Sequence, residues 1–79
     1  MGSIDVVIVE DDPMVIEINR SFVDAVPGFQ VVGVAKTGQE ALVVIKELTP
    51  SLALLDVYLP DTSGVAILRE IRKQGLSTD

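Results

Sequence analysis

The sequence predicts an α/β fold with a parallel sheet, built in the order β-α-β-α-β-α. Three observations predict it. Short runs of β-branched or Leu-rich apolar residues recur at Ile4–Val9, Phe29–Ala35 and 52–57. After each run, apolar residues recur at steps of three and four, the spacing of one helix face. Finally, 48% of the 79 residues are hydrophobic, well above what a chain without a core carries. Strands alternating with helices imply right-handed crossovers and helices on both faces of the sheet.

The first run, IDVVIV, reads as a strand buried on both faces, and it ends abruptly in Glu10-Asp11-Asp12. Pro13 suits the first helical position and Asp12 the N-cap before it. Over residues 14–26, Val15, Ile18, Phe22 and Val26 form an apolar stripe, and Pro27-Gly28 stops the helix. In the second strand, Phe29–Ala35, Gln30 predicts a position near a sheet edge. Thr37 and Glu40 have the spacing of a capping box. The second helix runs to about Leu48 with Ala41, Leu42, Ile45 and Leu48 on one face, and Thr49-Pro50-Ser51 breaks it. The third strand, 52–57, is apolar until Asp56. A loop over 59–64 leads into a third helix at about 65–74, with Ile67, Leu68 and Ile71 as its stripe and Gly75 as its stop.

Composition excludes several functions. The net charge is −6, against a nucleic-acid surface or an anionic membrane, both of which need a basic patch. There is no Cys and no His, which excludes disulfides, Cys/His zinc sites and His acid–base catalysis. No apolar run approaches the roughly 20 residues that span a bilayer, and the N-terminus lacks the basic region of a signal peptide. A cytoplasmic location is expected. Arg69, Arg72 and Lys73 read as a solvated helix face.

The chemistry lies in the acids. In open parallel sheets, ligands bind just beyond the carboxyl ends of the strands. Glu10 and Asp11 follow the first strand and Asp56 closes the third. If those strands are neighbours, three carboxylates meet in one pocket and repel one another. A hard divalent cation relieves that repulsion; Mg²⁺ prefers carboxylate, carbonyl and water oxygens. Such a pocket also invites phosphate, because the metal can bridge a carboxylate and phosphoryl oxygens.

With Glu10-Asp11 entering a helix, and Asp56 followed by Pro60 four residues on and Gly64 eight residues on, the chain resembles the receiver domain of two-component response regulators. The resemblance covers essentially the whole chain. It implies a truncated flavodoxin-like (CheY-like) doubly wound sheet with strand order 2-1-3. Carried over residue by residue, Asp11 is a direct Mg²⁺ ligand and Glu10 acts largely through metal-bound water. Asp56 is both ligand and phosphoacceptor, and Tyr58 offers its backbone carbonyl. The phosphoryl donor is a sensor histidine kinase, and the usual output is transcription control. Receivers have five strands, with a Thr or Ser after the fourth and a Lys after the fifth. Residues 1–79 are therefore expected to be an incomplete receiver domain. Lys46 and Lys73, on helices, cannot replace that Lys. The exposed edge of the third strand is expected to drive formation of a homodimer or oligomer.

Two other functions compete with this non-enzymatic switch. A phosphohydrolase with an Asp nucleophile also places that Asp after a parallel strand, but generally has a second Asp two residues later, where this chain has Tyr58. A pseudo-receiver would fold and dimerise without phosphorylation. The acidic pair and Asp56 count against it.

Overall fold

The computed structural model describes residues 3–79. Six elements follow one another: β1 (Ile4–Val9), α1 (Pro13–Asp24), β2 (Phe29–Ala35), α2 (Gly38–Leu48), β3 (Leu52–Leu55) and α3 (Gly64–Lys73). The strands form one parallel sheet in the order β2-β1-β3, the predicted class and order. β1 is central because Val6, Val7, Ile8 and Val9 have no solvent exposure at all. Alternation splits them between two faces. Val7 and Val9 join Ala35, Ala41, Ile45, Ile67 and Ile71 in a core under α2 and α3. Val6 and Ile8 point the other way, toward α1.

Each helix starts where a side chain meets its free N–H groups. The Asp12 carboxylate accepts from the Met14 N–H at 2.9 Å, with Pro13 at the first helical position. The Thr37 hydroxyl accepts from the Glu40 N–H at 3.1 Å. Ser63 does the same for Ala66 at 3.1 Å, so α3 begins one residue before the predicted Val65. The carboxylate of Glu40 forms no return bond to Thr37 among the described residues, leaving the capping box half made.

The apolar stripe of α1 differs from the expected one. Val15, Ile18 and Phe22, with Val26 just beyond the end of α1, are exposed, Phe22 by 70%, whereas Ile16 and Val23 are buried. This helix carries two overlapping apolar stripes, and periodicity cannot choose between them. The pair seven residues apart, two full turns, faces the sheet. On α2 and α3 the predicted Ala41, Ile45, Ile67 and Ile71 are buried, while Leu48 and Leu68 at the stripe margins stay exposed.

β2 is an edge strand, as Gln30 predicts; Gln30 and Val32 are exposed along it. Its register against β1 skips one residue between Val6 and Val7, where Gly33 rather than Val32 becomes the partner of Val7. The outer edge of β3 is not wholly bare. The Asp79 N–H donates to the Ser51 carbonyl at 3.0 Å and the Ala53 N–H donates to the Asp79 carbonyl at 2.7 Å, the pattern of a parallel pairing. Thr78, buried, donates its hydroxyl proton to the Pro50 carbonyl at 2.7 Å.

The two faces of α1 give a direct test. Replacing Ile16, buried on the sheet-facing side of α1, by Val is expected to cost about 0.5–1.5 kcal/mol. Replacing Phe22, the larger residue, by Ala should change stability by less than about 0.5 kcal/mol. Urea unfolding followed by circular dichroism measures both. The opposite ranking would return Phe22 to the core.

Candidate functional site

Register brings the acids together. Val9 pairs with Ala35 on one side and Leu55 on the other. Both ladders run one step further: the Glu10 N–H donates to the Ala35 carbonyl at 2.9 Å, and the Asp56 N–H donates to the Val9 carbonyl at 3.0 Å. Glu10 and Asp56 therefore leave adjacent strands side by side, with Asp11 next in line. One carboxylate oxygen from each of Glu10, Asp11 and Asp56 lies within 4.8 Å of the others. Glu10 is buried, Asp56 half-buried and Asp11 exposed, so the cluster opens outward through Asp11.

Among the described residues, no ion pair answers this charge. Among the described residues the ion pairs are Glu17–Arg20 and Arg72–Asp79, neither involving the cluster. The Glu10 carboxylate accepts the Asp12 N–H at 3.2 Å, its one backbone donor. Its carboxyl titrates above the ordinary glutamate range. Burial is the largest cause, followed by its hydrogen bond with Asp56; the charges of Asp56 and Asp11 act in the same direction. Three converging carboxylates with no ion pair among the described residues form a hard-oxygen donor set suited to a hard divalent ion.

The strand ends earlier than predicted, at Leu55 rather than 57. The reason is the loop that follows. The Val57 carbonyl turns away from the sheet to accept the Gly64 N–H at 2.8 Å, and the Leu59 N–H donates to the Thr62 carbonyl at 3.0 Å. Tyr58 and Ser63 sit opposite each other in this small antiparallel hairpin. They form a non-hydrogen-bonded pair, so the Tyr58 carbonyl takes no part in the ladder and stays available to a ligand. The Tyr58 side chain is 83% exposed.

Gly64 closes the base of this hairpin. A Cβ on Gly64 would collide with the Asp56 carbonyl oxygen and approach Val57 Cα at 3.3 Å. The spacing of eight residues from Asp56 thus has a steric cause: only a residue without a side chain lets α3 begin against the Asp56 backbone. Pro60 lies in the turn of the same hairpin. Among residues not singled out in the sequence, Asp61 matters most. Its carboxylate bonds the Gly38 and Gln39 N–H groups at 2.8 and 3.1 Å. No local pattern marks it, because its partners lie more than twenty positions away.

A doubly wound parallel sheet with a carboxylate cluster at the carboxyl ends of two adjacent strands defines a class, the receiver-like α/β modules. Comparison with known proteins is specific: the model of the response regulator receiver domain matches residues 6–79. The chain belongs to that family. It is 45% identical to the probable C4-dicarboxylate response regulator DctR of Halalkalibacterium halodurans, over 96% of this chain and 33% of that protein. It is 43% identical to the transcriptional regulatory protein MalR of Bacillus subtilis, over 96% of this chain and 32% of that one. The chain therefore spans about a third of the curated relatives it matches. Among solved structures, the signal receiver domain of the putative response regulator NarL from Mycobacterium tuberculosis superposes with a TM-score of 0.94 at 31% identity. That match covers 99% of this chain and 63% of the other. The MaeR response regulator bound to beryllium trifluoride gives 0.89 at 30% identity, covering 100% and 63%.

Two outcomes follow. Gly64→Ala is expected to cost about 1–3 kcal/mol in urea unfolding, the range for an added methyl in a packed site; a neutral effect would remove the steric account. The second concerns pH. Because the Glu10 carboxyl is raised, its neutral form contributes stability in full below the ordinary value of 4.5. That contribution is lost as pH rises through the raised value. The Tm of the metal-free protein relative to its Glu10→Gln variant should therefore fall between pH 4.5 and neutrality. A constant Tm difference across that range would show that Glu10 is not strained by its neighbours.

Proposed function

We propose that the chain is the phosphoacceptor module of a two-component system, receiving a phosphoryl group on Asp56 from a sensor histidine kinase in the cytoplasm. The observation that carries this reading is the convergence of Glu10, Asp11 and Asp56, none of them in an ion pair among the described residues. Asp11 and Asp56 would supply direct oxygen ligands for Mg²⁺, the Tyr58 carbonyl a third, and Glu10 would act through water. Bound there, Mg²⁺ would neutralise the carboxylates and the incoming phosphoryl oxygens.

The chain's own groups do the rest. An Asp56 carboxylate oxygen attacks phosphorus and forms a P–O bond. The P–N bond of the donor phosphohistidine breaks, its electron pair returns to the imidazole, and the acyl phosphate remains on Asp56. About −1.5 to −2 units of charge are added where three carboxylates already meet. That local change is what a downstream output reads. The resemblance of the chain to DctR and MalR, whose names describe a response regulator and a transcriptional regulatory protein, supports transcription as the output and a switch rather than an enzyme. Beryllium trifluoride, held in the MaeR relative, has the tetrahedral shape of a phosphoryl group when joined to a carboxylate oxygen.

We take the chain as the first part of a receiver domain, with the remaining phosphate-binding Thr or Ser and Lys on further strands. The parallel pairing of Asp79 with Ser51 and Ala53 supports this, because it starts a strand on the outer edge of β3. Self-association of these 79 residues would use the same edge, where Leu54 and Leu55 are only half-buried. No helix of the described residues is long and apolar enough to cross a membrane.

Incubation with Mg²⁺ and acetyl phosphate tests the main reading. Intact-mass measurement should show one added phosphoryl group, lost in Asp56→Asn and sharply reduced in Asp11→Asn. Steady phosphate release with no accumulated adduct would favour a hydrolase. Sedimentation velocity over a range of concentrations tests the association; a constant monomer mass removes it.

A further inference from the structure

The hairpin between β3 and α3 is held at both ends, and only its base belongs to the carboxylate cluster. At the base, Gly64 lies against the Asp56 backbone. At the tip, Asp61 reaches the start of α2. Its carboxylate accepts the Gly38 N–H at 2.8 Å on one oxygen and the Gln39 N–H at 3.1 Å on the other. The Thr37 hydroxyl takes the Glu40 N–H, and the Ala41 N–H is the first to find a backbone carbonyl, that of Thr37 at 2.9 Å. The first three N–H groups of α2 are thus met by side chains, two of them by a residue from a different loop.

The close approach requires Gly38. A Cβ there would stand 2.8 Å from Ile67 Cδ1 and collide with Thr62 Cγ2. Hairpin, α2 and α3 therefore interlock at one point. The two N–H donors hold the Asp61 carboxyl below its ordinary value, so it stays ionised at neutral pH. α2 already has a local cap in Thr37. What Asp61 adds is a connection between that helix and the backbone that carries Asp56 and Tyr58.

We infer that Asp61 is a positioning residue: by binding the start of α2 it holds the hairpin in the shape in which Asp56 and the Tyr58 carbonyl can share a divalent cation. This rests on the cation-binding reading above.

Mg²⁺ titration of this chain by calorimetry tests the inference, with the fluorescence of Tyr58 as a second readout. Tyr58 is the sole tyrosine and the chain has no tryptophan, so the signal comes from the hairpin itself. Asp61→Ala is expected to weaken Mg²⁺ affinity roughly fivefold, the scale of a lost helix cap. Asp61→Asn, whose amide oxygen still accepts one N–H, should fall between. Thr37→Ala removes a cap from the same helix end without touching the hairpin. It should lower Tm while leaving Mg²⁺ affinity unchanged. Wild-type affinity in both Asp61 variants, or an equal loss in Thr37→Ala, overturns the inference alone. Absence of any Mg²⁺ response in the wild type overturns the cation-binding reading as well. If Asp61→Ala does not fold, the isosteric Asn variant decides.

Discussion

Val6 to Val9 have no contact with solvent, and four consecutive apolar residues in an extended chain can be hidden only by layers on both faces and neighbours on both sides. That requirement makes β1 the middle strand. Its central place puts β2 and β3 beside it, α1 beneath one face and α2 with α3 beneath the other. Because all three strands run the same way, their carboxyl ends emerge together. Glu10 and Asp56 become neighbours through a packing demand that has nothing to do with their charge.

The consequence is a local conflict. Packing favours the register that brings the carboxylates together, while Coulomb repulsion and burial of Glu10 oppose it. The raised titration of Glu10 is the trace of that conflict. Repulsion of this kind is tolerable in a small domain only if it is relieved by protons, solvent or a bound cation. A pocket that is uncomfortable when empty favours ligands that bring positive charge and discriminates against those that do not. Under the proposed reading, the hairpin over residues 57–64 would add a neutral oxygen donor, the Tyr58 carbonyl, rather than another carboxylate.

Much of this was legible before the structure. The apolar run of β1 and the local caps Asp12 and Thr37 depend on residues within a few positions of one another. The spacing of Asp56, Pro60 and Gly64 was legible as a family pattern. Its steric cause, the contact between Gly64 and the Asp56 carbonyl, was not, because it is a property of the folded turn. The face of α1 was misread because Ile18 and Phe22 satisfy helical periodicity as well as Ile16 and Val23 do. The early end of β3 and the partnership of Asp61 with α2 were hidden for one reason: each depends on a contact between segments whose sequences say nothing about each other.

The central position of β1 also gives the molecule a mechanical direction. β1 is bonded along both sides. Traction along it must shear two parallel ladders at once, with hydrogen bonds loaded together. Traction on α3 meets no ladder, only the packing of Ile67 and Ile71 into the core, contacts that yield one after another. The same fold is therefore stiff when pulled along its sheet and compliant when a helix is lifted from it.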